Sequence, residues 1–273
     1  MRRRLILSRI HAPVLAQFAA SNVLVAFDFD GTLAPIVPTP AAARMRPQTR
    51  RLLAAVARRY PCVVLSGRPL DELSARLRRI PIWHMVGDHG FESPGSLRDL
   101  SPRVREWVAH LRERLPARRG LVIEEKRHSV TIHYRRVRNK AGVLAAVADA
   151  VRGLRDARVV GGAQAINLIP SGGPDKGTAL QRARRVFACD TAIYVGDDET
   201  DEDAFRSAEP SQLLSIRVGI TRPSAARYRL RSQAEVDILL KRLIQLRGVA
   251  RRRSVIRRRY SRSHAADILS RVE

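Results

Sequence analysis

Short, nearly continuous apolar runs alternate along this chain with segments whose apolar positions recur every three or four residues. Val23-Leu24-Val25-Ala26-Phe27 and residues 61–65, 83–87, 191–196 and 213–219 are runs of the first kind. They predict strands covered on both faces, with the first reaching Asp28. Helical spacing marks residues 13–20, Thr49–Tyr60 (through Leu52, Leu53 and Val56), Pro69–Leu77 and 176–187. It returns over Ala234–Leu246, where Val236, Leu239, Leu240 and Leu243 share one face. Strand alternating with helix predicts an α/β fold, a doubly wound, Rossmann-like parallel sheet. Pro35 to Pro47 interrupts the pattern as a proline-rich loop.

After Glu92 the texture changes. Pro102 to Leu115 is helical, with Val104, Val108 and Leu111 on one face, and Leu121–Lys126 and Ser129–Tyr134 are strand-like runs joined by a very short turn. Lys140–Leu154 is helical again, followed by strands near 157–161 and 164–169. Two successive helix-strand-strand units predict a small α+β domain inserted into the sheet protein. The expected division is a core of residues 1–93 and 170–246, an insert of 94–169 and a basic tail of 247–273. Arg251-Arg252-Arg253 and Arg257-Arg258-Arg259 repel one another and pack poorly. The tail is therefore read as disordered, with a basic helix on an acidic surface as the alternative.

Composition changes this picture little. The 273 residues are 45% hydrophobic and 28% charged, ordinary for a globular protein with one large or two modest domains. The net charge is +25, but 47 of the 51 basic residues are arginine, so the excess reads as codon bias rather than a selected surface. Such a field favours anionic substrates and non-specific polyanion contact. No helix-turn-helix, zinc-finger or RNA-binding signature accompanies it, so no specific nucleic-acid partner is expected. Cys62 and Cys189 stand far apart in or beside apolar stretches, as reduced thiols of a cytoplasmic protein would. No apolar stretch approaches the length of a membrane span, and no membrane association is expected.

The chemistry gathers where predicted strands end. Asp28-Phe29-Asp30-Gly31-Thr32 follows the first strand directly. Two carboxylates at that depth are costly unless a cation meets them, and hard oxygen ligands suit Mg²⁺. Ser66 closes the second strand and offers a hydroxyl and flanking amides to a phosphate oxygen. Lys176, after Pro174-Asp175, places an ammonium at a helix N-terminus, which already favours anions. Asp197-Asp198-Glu199-Thr200-Asp201 ends a further strand.

DxDGT, then serine, then lysine, then GDDxxD, in that order, resembles the haloacid dehalogenase (HAD) superfamily. The resemblance implies that Asp28 is a nucleophile forming an aspartyl phosphate, and that Asp30 is the general acid and base. It implies Mg²⁺ held by Asp28, the main-chain carbonyl of Asp30 and Asp197, with Ser66 and Lys176 on the phosphoryl oxygens. Asp198 and Asp201 would orient waters and Lys176, and Thr32, which can hydrogen-bond back into its own turn, would stand behind the ligands with them. The insert lies where that superfamily places cap domains.

Glu124-x-Lys126, His133-Tyr134-Arg135, Gly87-x-His89-Gly90-x-Glu92, Ser66-Gly67-Arg68 and the run GDDETDEDAF resemble the trehalose-6-phosphate phosphatases over roughly residues 22–246. By that resemblance Glu124 and Lys126 reach sugar hydroxyls from the cap. His89, Gly90 and Glu92 line the pocket from the core, beside Phe29, Gly67 and Arg68. Asn167 stands where an acidic residue is common, which leaves a related sugar phosphate, such as sucrose 6-phosphate, as an alternative substrate. A basic polyanion-binding protein with a vestigial phosphatase core is the second alternative. The plainer readings are a helix N-cap for Ser66, a cross-strand charge pair for Glu124 and Lys126, and a loop residue for His89.

Overall fold

The computed structural model describes residues 4–94, 101–115, 117–162, 164–220 and 223–251, the side chains of 249–251 excepted. Six strands form one parallel sheet: β1 (Val23–Phe27), β2 (Cys62–Leu65), β3 (His84–Val86), β8 (Thr191–Gly196), β9 (Leu213–Val218) and β10 (Tyr228–Leu230). Their order is β10-β9-β8-β1-β2-β3, so the strand bearing Asp28 lies between β8 and β2.

Alternation along β1 sends Val23, Val25 and Phe27 to one face and Leu24 and Ala26 to the other. On the first face pack α1 (Ala12–Ala20), α2 (Pro47–Ala57), α3 (Leu70–Leu77) and α8 (Glu235–Arg251), through residues such as Phe18, Leu53, Leu73 and Leu239. On the second pack α6 (Lys176–Val186) and α7 (Asp201–Arg206), through Leu180, Ala183 and Phe205. The two faces together make the doubly wound, three-layer arrangement that the apolar pattern predicts. Cys62 and Cys189 are free thiols buried in these layers, and burial raises both, Cys62 first of all by desolvation.

The inserted segment builds a separate antiparallel sheet from β4 (Val122–Glu125), β5 (Val130–His133), β6 (Ala157–Gly162) and β7 (Ala165–Pro170), ordered β4-β5-β7-β6. Val130, Ile132 and Leu168 turn to α4 (Pro102–Arg114) and α5 (Lys140–Arg152), joining Val104, Leu111, Val143 and Val147 in a second core. The opposite face is polar, and the register sets Glu124, Thr131 and Asn167 in one row across β4, β5 and β7.

Two core elements escape the periodicity, and both are short. β10 has three residues and α7 six, too few for either period to show. At the other extreme, α8 continues to Arg251, past the 246 boundary read from the sequence. Arg247 anchors it, donating to the carbonyls of Arg59, Ala19 and Ser21 and lying 4.6 Å over the Tyr60 ring. Of the expected tail, residues 252–273 lie outside the described residues. Among the described residues no helix is long and apolar enough to cross a membrane.

Candidate active site

The carboxyl ends of β1, β2, β3 and β8 converge, as ligand sites on open parallel sheets do. Gly31 makes the turn after β1 with φ +87°, and a Cβ there would fall 2.1 Å from the Asp197 carboxylate. Only glycine lets the two acidic loops approach so closely. Opposite them, Asp175 caps α6 by accepting from the Thr178 amide at 2.7 Å, which fixes Lys176 at the first helical position.

Lys176 Nζ donates to Asp28 Oδ1 at 2.8 Å and to Asp201 Oδ1 at 2.7 Å, with all three side chains almost wholly buried. Asp201 is saturated. Its Oδ1 also accepts from Tyr194 Oη at 2.7 Å, and its Oδ2 takes the amides of Asp197 and Asp198 at 2.8 Å each. It thus ties Lys176 to the loop after β8. Thr32 Oγ1 donates to Asp197 Oδ1 at 3.2 Å and steadies that carboxylate from the β1 side.

Negative charge exceeds positive in this pocket. Burial, reinforced by Asp201 and Asp30 and opposed by Lys176, pushes Asp28 up to about 8. Burial and the neighbouring Asp28, Asp201 and Asp198 hold Asp197 well above the usual carboxylate range, and burial with Asp201 brings Asp198 to about 6. For Lys176 burial favours the neutral form, but Asp201 and Asp28 outweigh it and raise its pKa.

One oxygen from each of Asp28, Asp197 and Asp201 lies within 4.8 Å of the others. Buried carboxylates that retain protons for want of positive charge are suited to a hard divalent cation. Protein donors already occupy both oxygens of Asp201, whereas Asp28 and Asp197 each accept from a protein donor at one oxygen only among the described residues, which leaves them the more open to a cation.

A stability experiment follows from these shifts. A folded-state pKa raised above the unfolded value stabilises the protein at low pH, and that contribution is lost as pH rises through the folded value. The metal-free protein is expected to lose thermal stability from about pH 5 to about pH 8 as Asp28 and Asp198 release protons. Mg²⁺ should flatten that slope. Calorimetry in EDTA and in Mg²⁺ checks this, and a pH-independent midpoint in EDTA would contradict it.

Above the acids lies a cavity of about 460 Å³, walled by Asp28, Asp30 and Lys176 below and by Glu124, Lys126 and Asn167 above. Gly67, Arg68, His89 and Asp198 complete the part of the wall expected from sequence. Phe29, Ser66, Gly90 and Glu92 stand behind it instead. Phe29 belongs to the sheet core, and the fully buried Ser66 Oγ accepts the Arg68 amide at 3.2 Å. Gly90, at φ +127°, packs on the Asp175 main chain where a Cβ would lie 2.7 Å away. Glu92 accepts the Leu70 amide at 2.6 Å and pairs with Arg127 at 3.2 Å.

The antiparallel unit is tied to this floor at several points. Asp88 and His89 both hold left-handed backbone, at φ 43° and 62°, a conformation costing about 1–3 kcal/mol per residue. The Asp88 carboxylate holds the loop by accepting the His128 amide at 2.8 Å and the Ser129 hydroxyl. Burial first, then Lys126, Lys176 and Arg158, keeps His89 neutral well below its ordinary pKa. Among the described residues neither of its ring nitrogens has a hydrogen-bond partner. Lys126 Nζ donates to the Gly67 carbonyl at 2.8 Å. Arg136 donates to Thr39 Oγ1 at 2.6 Å and Arg135 to the Val37 carbonyl, so the proline-rich loop is held beneath the sheet.

Thr131 and His133 also reach the cavity, although neither stood among the expected site residues. Strand alternation was the available signal, since period two puts both on the face of Glu124. His133 Nε2 donates to Glu124 Oε2 at 2.5 Å, and Thr131 Oγ1 to Asn167 Oδ1 at 2.9 Å. Burial opposes ionisation of Glu124, but the His133 bond and Lys126 outweigh it and lower its pKa.

A doubly wound sheet with acids at its strand ends and an antiparallel unit over them is a fold shared with solved structures of the HAD superfamily. A sugar phosphatase of HAD subclass IIB superposes with a TM-score of 0.55 at 17% identity, over 79% of this chain and 96% of its own. The C. albicans trehalose-6-phosphate phosphatase C-terminal domain superposes with a TM-score of 0.70 at 24% identity, over 90% of this chain and 98% of that one.

The sequence model of the trehalose-phosphatase family matches residues 26–234, and the chain belongs to that family. A trehalose-phosphate phosphatase of Mycolicibacterium paratuberculosis is 35% identical over 247 residues. That alignment takes in 82% of this chain and 63% of the relative, so the chain spans under two thirds of it.

Proposed function

We propose that this chain hydrolyses trehalose 6-phosphate to trehalose and phosphate, with Mg²⁺, through an aspartyl phosphate on Asp28. The carrying observation is the buried Asp28–Lys176–Asp201 set beneath a polar sheet face. The phosphoryl group would sit beside the Asp28–Lys176 pair, where two Nζ–H bonds fix the ammonium and a third donor remains. When bound, Mg²⁺ supplies charge neutralisation at the phosphoryl oxygens.

Asp28 then attacks in line, and Asp30 protonates the departing sugar oxygen. Asp30 afterwards accepts a proton from the water that cleaves the aspartyl phosphate. Lys176 stabilises the oxygens in both halves. Family membership supports the trehalose ester, and the cap wall supports a sugar leaving group. Glu124, Lys126, Thr131, His133 and Asn167 present donors and acceptors to hydroxyls, and a substrate lacking those hydroxyls would leave them unpaired.

Asn167 supports keeping a second reading, a related phosphorylated disaccharide. Its carbonyl already accepts from Thr131, and its NH₂ group can donate to a sugar hydroxyl where a carboxylate could only accept. The test is phosphate release with Mg²⁺ from trehalose 6-phosphate, sucrose 6-phosphate and glucose 6-phosphate. The expected result is a preference of at least about 10²-fold in kcat/KM for the trehalose ester. Preference for sucrose 6-phosphate would establish the second reading, and release from none would sink both.

A further inference from the structure

Both oxygens of Asp30 are held by one guanidinium. Arg68 Nε donates to Oδ2 at 2.6 Å and Nη2 to Oδ1 at 2.7 Å. Arg68 is itself fixed on three sides. Nη1 reaches Glu72 Oε2 at 3.0 Å, Nη2 also reaches the Pro40 carbonyl at 2.7 Å, and Cζ lies 5.7 Å from the Phe29 ring centroid. Its side chain is 8% exposed and that of Asp30 is 35% exposed, so the buried partner is the anchor and the open one is what it holds.

We propose that Arg68 is a positioning residue that aims the Asp30 carboxyl for proton transfer to and from the reacting oxygens. The inference rests on the reading of Asp30 as the acid and base. A planar fork bound to both oxygens sets the plane of the carboxyl as well as its place, which a single lysine bond would not do. Without it, a one-third-exposed aspartate is free to sample other rotamers.

Arg68 is anchored independently of Asp30, through Glu72 and the Pro40 carbonyl, so it need not move while the bond from phosphorus to the sugar oxygen breaks, the Asp28–phosphorus bond forms and the proton passes from Asp30 to the sugar oxygen. It stays in place when the proton returns from the attacking water. The cap contributes at one remove, because Lys126 grips the Gly67 carbonyl, next to Arg68 in the chain.

The test separates proton donation from binding and folding through leaving-group dependence and a double-mutant cycle. kcat/KM reports steps up to release of the leaving group, and p-nitrophenol departs without needing a proton. It is measured, with Mg²⁺, on the sugar ester turned over fastest and on p-nitrophenyl phosphate. The proteins are wild type, Asp30→Asn, Arg68→Gln, Arg68→Lys and the double variant Asp30→Asn/Arg68→Gln.

Arg68→Gln is expected to lower the ratio of sugar to aryl kcat/KM by about 10²-fold, toward that of Asp30→Asn, with Arg68→Lys between them. In the Asp30→Asn background Arg68→Gln should cost less than about threefold more. Equal losses on both esters, or a second loss of about 10²-fold in that background, would overturn the proposal and place Arg68 on the substrate or in the fold. If Asp30→Asn itself leaves the ratio unchanged, the acid–base reading of Asp30 fails and the proposal falls with it.

Discussion

Asp28→Asn is expected to abolish phosphate release from every monoester while leaving the metal-free protein folded, and at pH 8 at least as stable as wild type. The substitution keeps the shape of the side chain and removes the anionic oxygen that would bond to phosphorus. Loss of a covalent nucleophile typically costs about 10⁴-fold or more in kcat, so residual release should be at background.

The stability half of the expectation comes from electrostatics. Lys176 bonds Asp28 at 2.8 Å, yet burial together with Asp201 and Asp30 still pushes Asp28 up to about 8. On balance the site disfavours this charge, so a neutral amide should be tolerated or preferred where Asp28 would be ionised. Because Asp28 is also a proposed Mg²⁺ ligand, a rise in unfolding temperature with Mg²⁺ is expected for the wild type and should shrink in the variant. Phosphate release and calorimetry on the same samples decide the matter. A large fall in unfolding temperature would mean that Asp28 serves chiefly as a structural partner of Lys176, and lost activity would then prove nothing about chemistry.

What the sequence made legible, and what it did not, follows from where each signal resides. The acids of the reactive floor announce themselves because each ends a buried apolar run: Asp28 after β1 and Asp197 after β8. Local periodicity is enough to place them. The cap face is legible only in part. Alternation on β4 and β5 puts Glu124, Thr131 and His133 on one side, but which side meets the core is decided by α4 and α5 covering the other.

The remaining features belong to pairs that neither the strand nor the helix period links. Arg68 on Asp30 spans 38 positions, and Tyr194 and Lys176 on Asp201 appear in no local pattern. Proximity in a motif also misleads. Ser66, Gly90 and Glu92 sit in motifs that touch the site, yet their side chains or backbones shape loops behind it. A motif marks the segment that must be held in place, and only the fold shows which of its residues do the holding.

Lys176→Met should be the most damaging substitution of all, to stability as well as to catalysis. Its ammonium is the cation bonded to both Asp28 and Asp201, with 2% of the side chain exposed. Removing one partner of a buried ionic set leaves the others uncompensated, at a cost of about 3–5 kcal/mol. The deficit should be greatest near pH 8 and shrink toward pH 5, because carboxylates deprived of their lysine retain protons and the protonated forms bear burial better. Activity should fall by at least about 10³-fold, since the same ammonium would neutralise the phosphoryl oxygens as charge moves to the leaving group.

Lys176→Arg is expected to rescue the charge without the geometry. A planar fork does not place one donor on Asp28 and another on Asp201 from the first turn of α6 while keeping a third for substrate. Here the lopsided composition is itself informative. The chain carries only four lysines among its 51 basic residues, and Lys176 and Lys126 both face this cavity, where a compact point charge is needed. Unfolding temperatures across pH 5 to 8, with phosphate release from the preferred ester, test all three statements. An arginine variant of full activity would show that charge alone suffices at position 176.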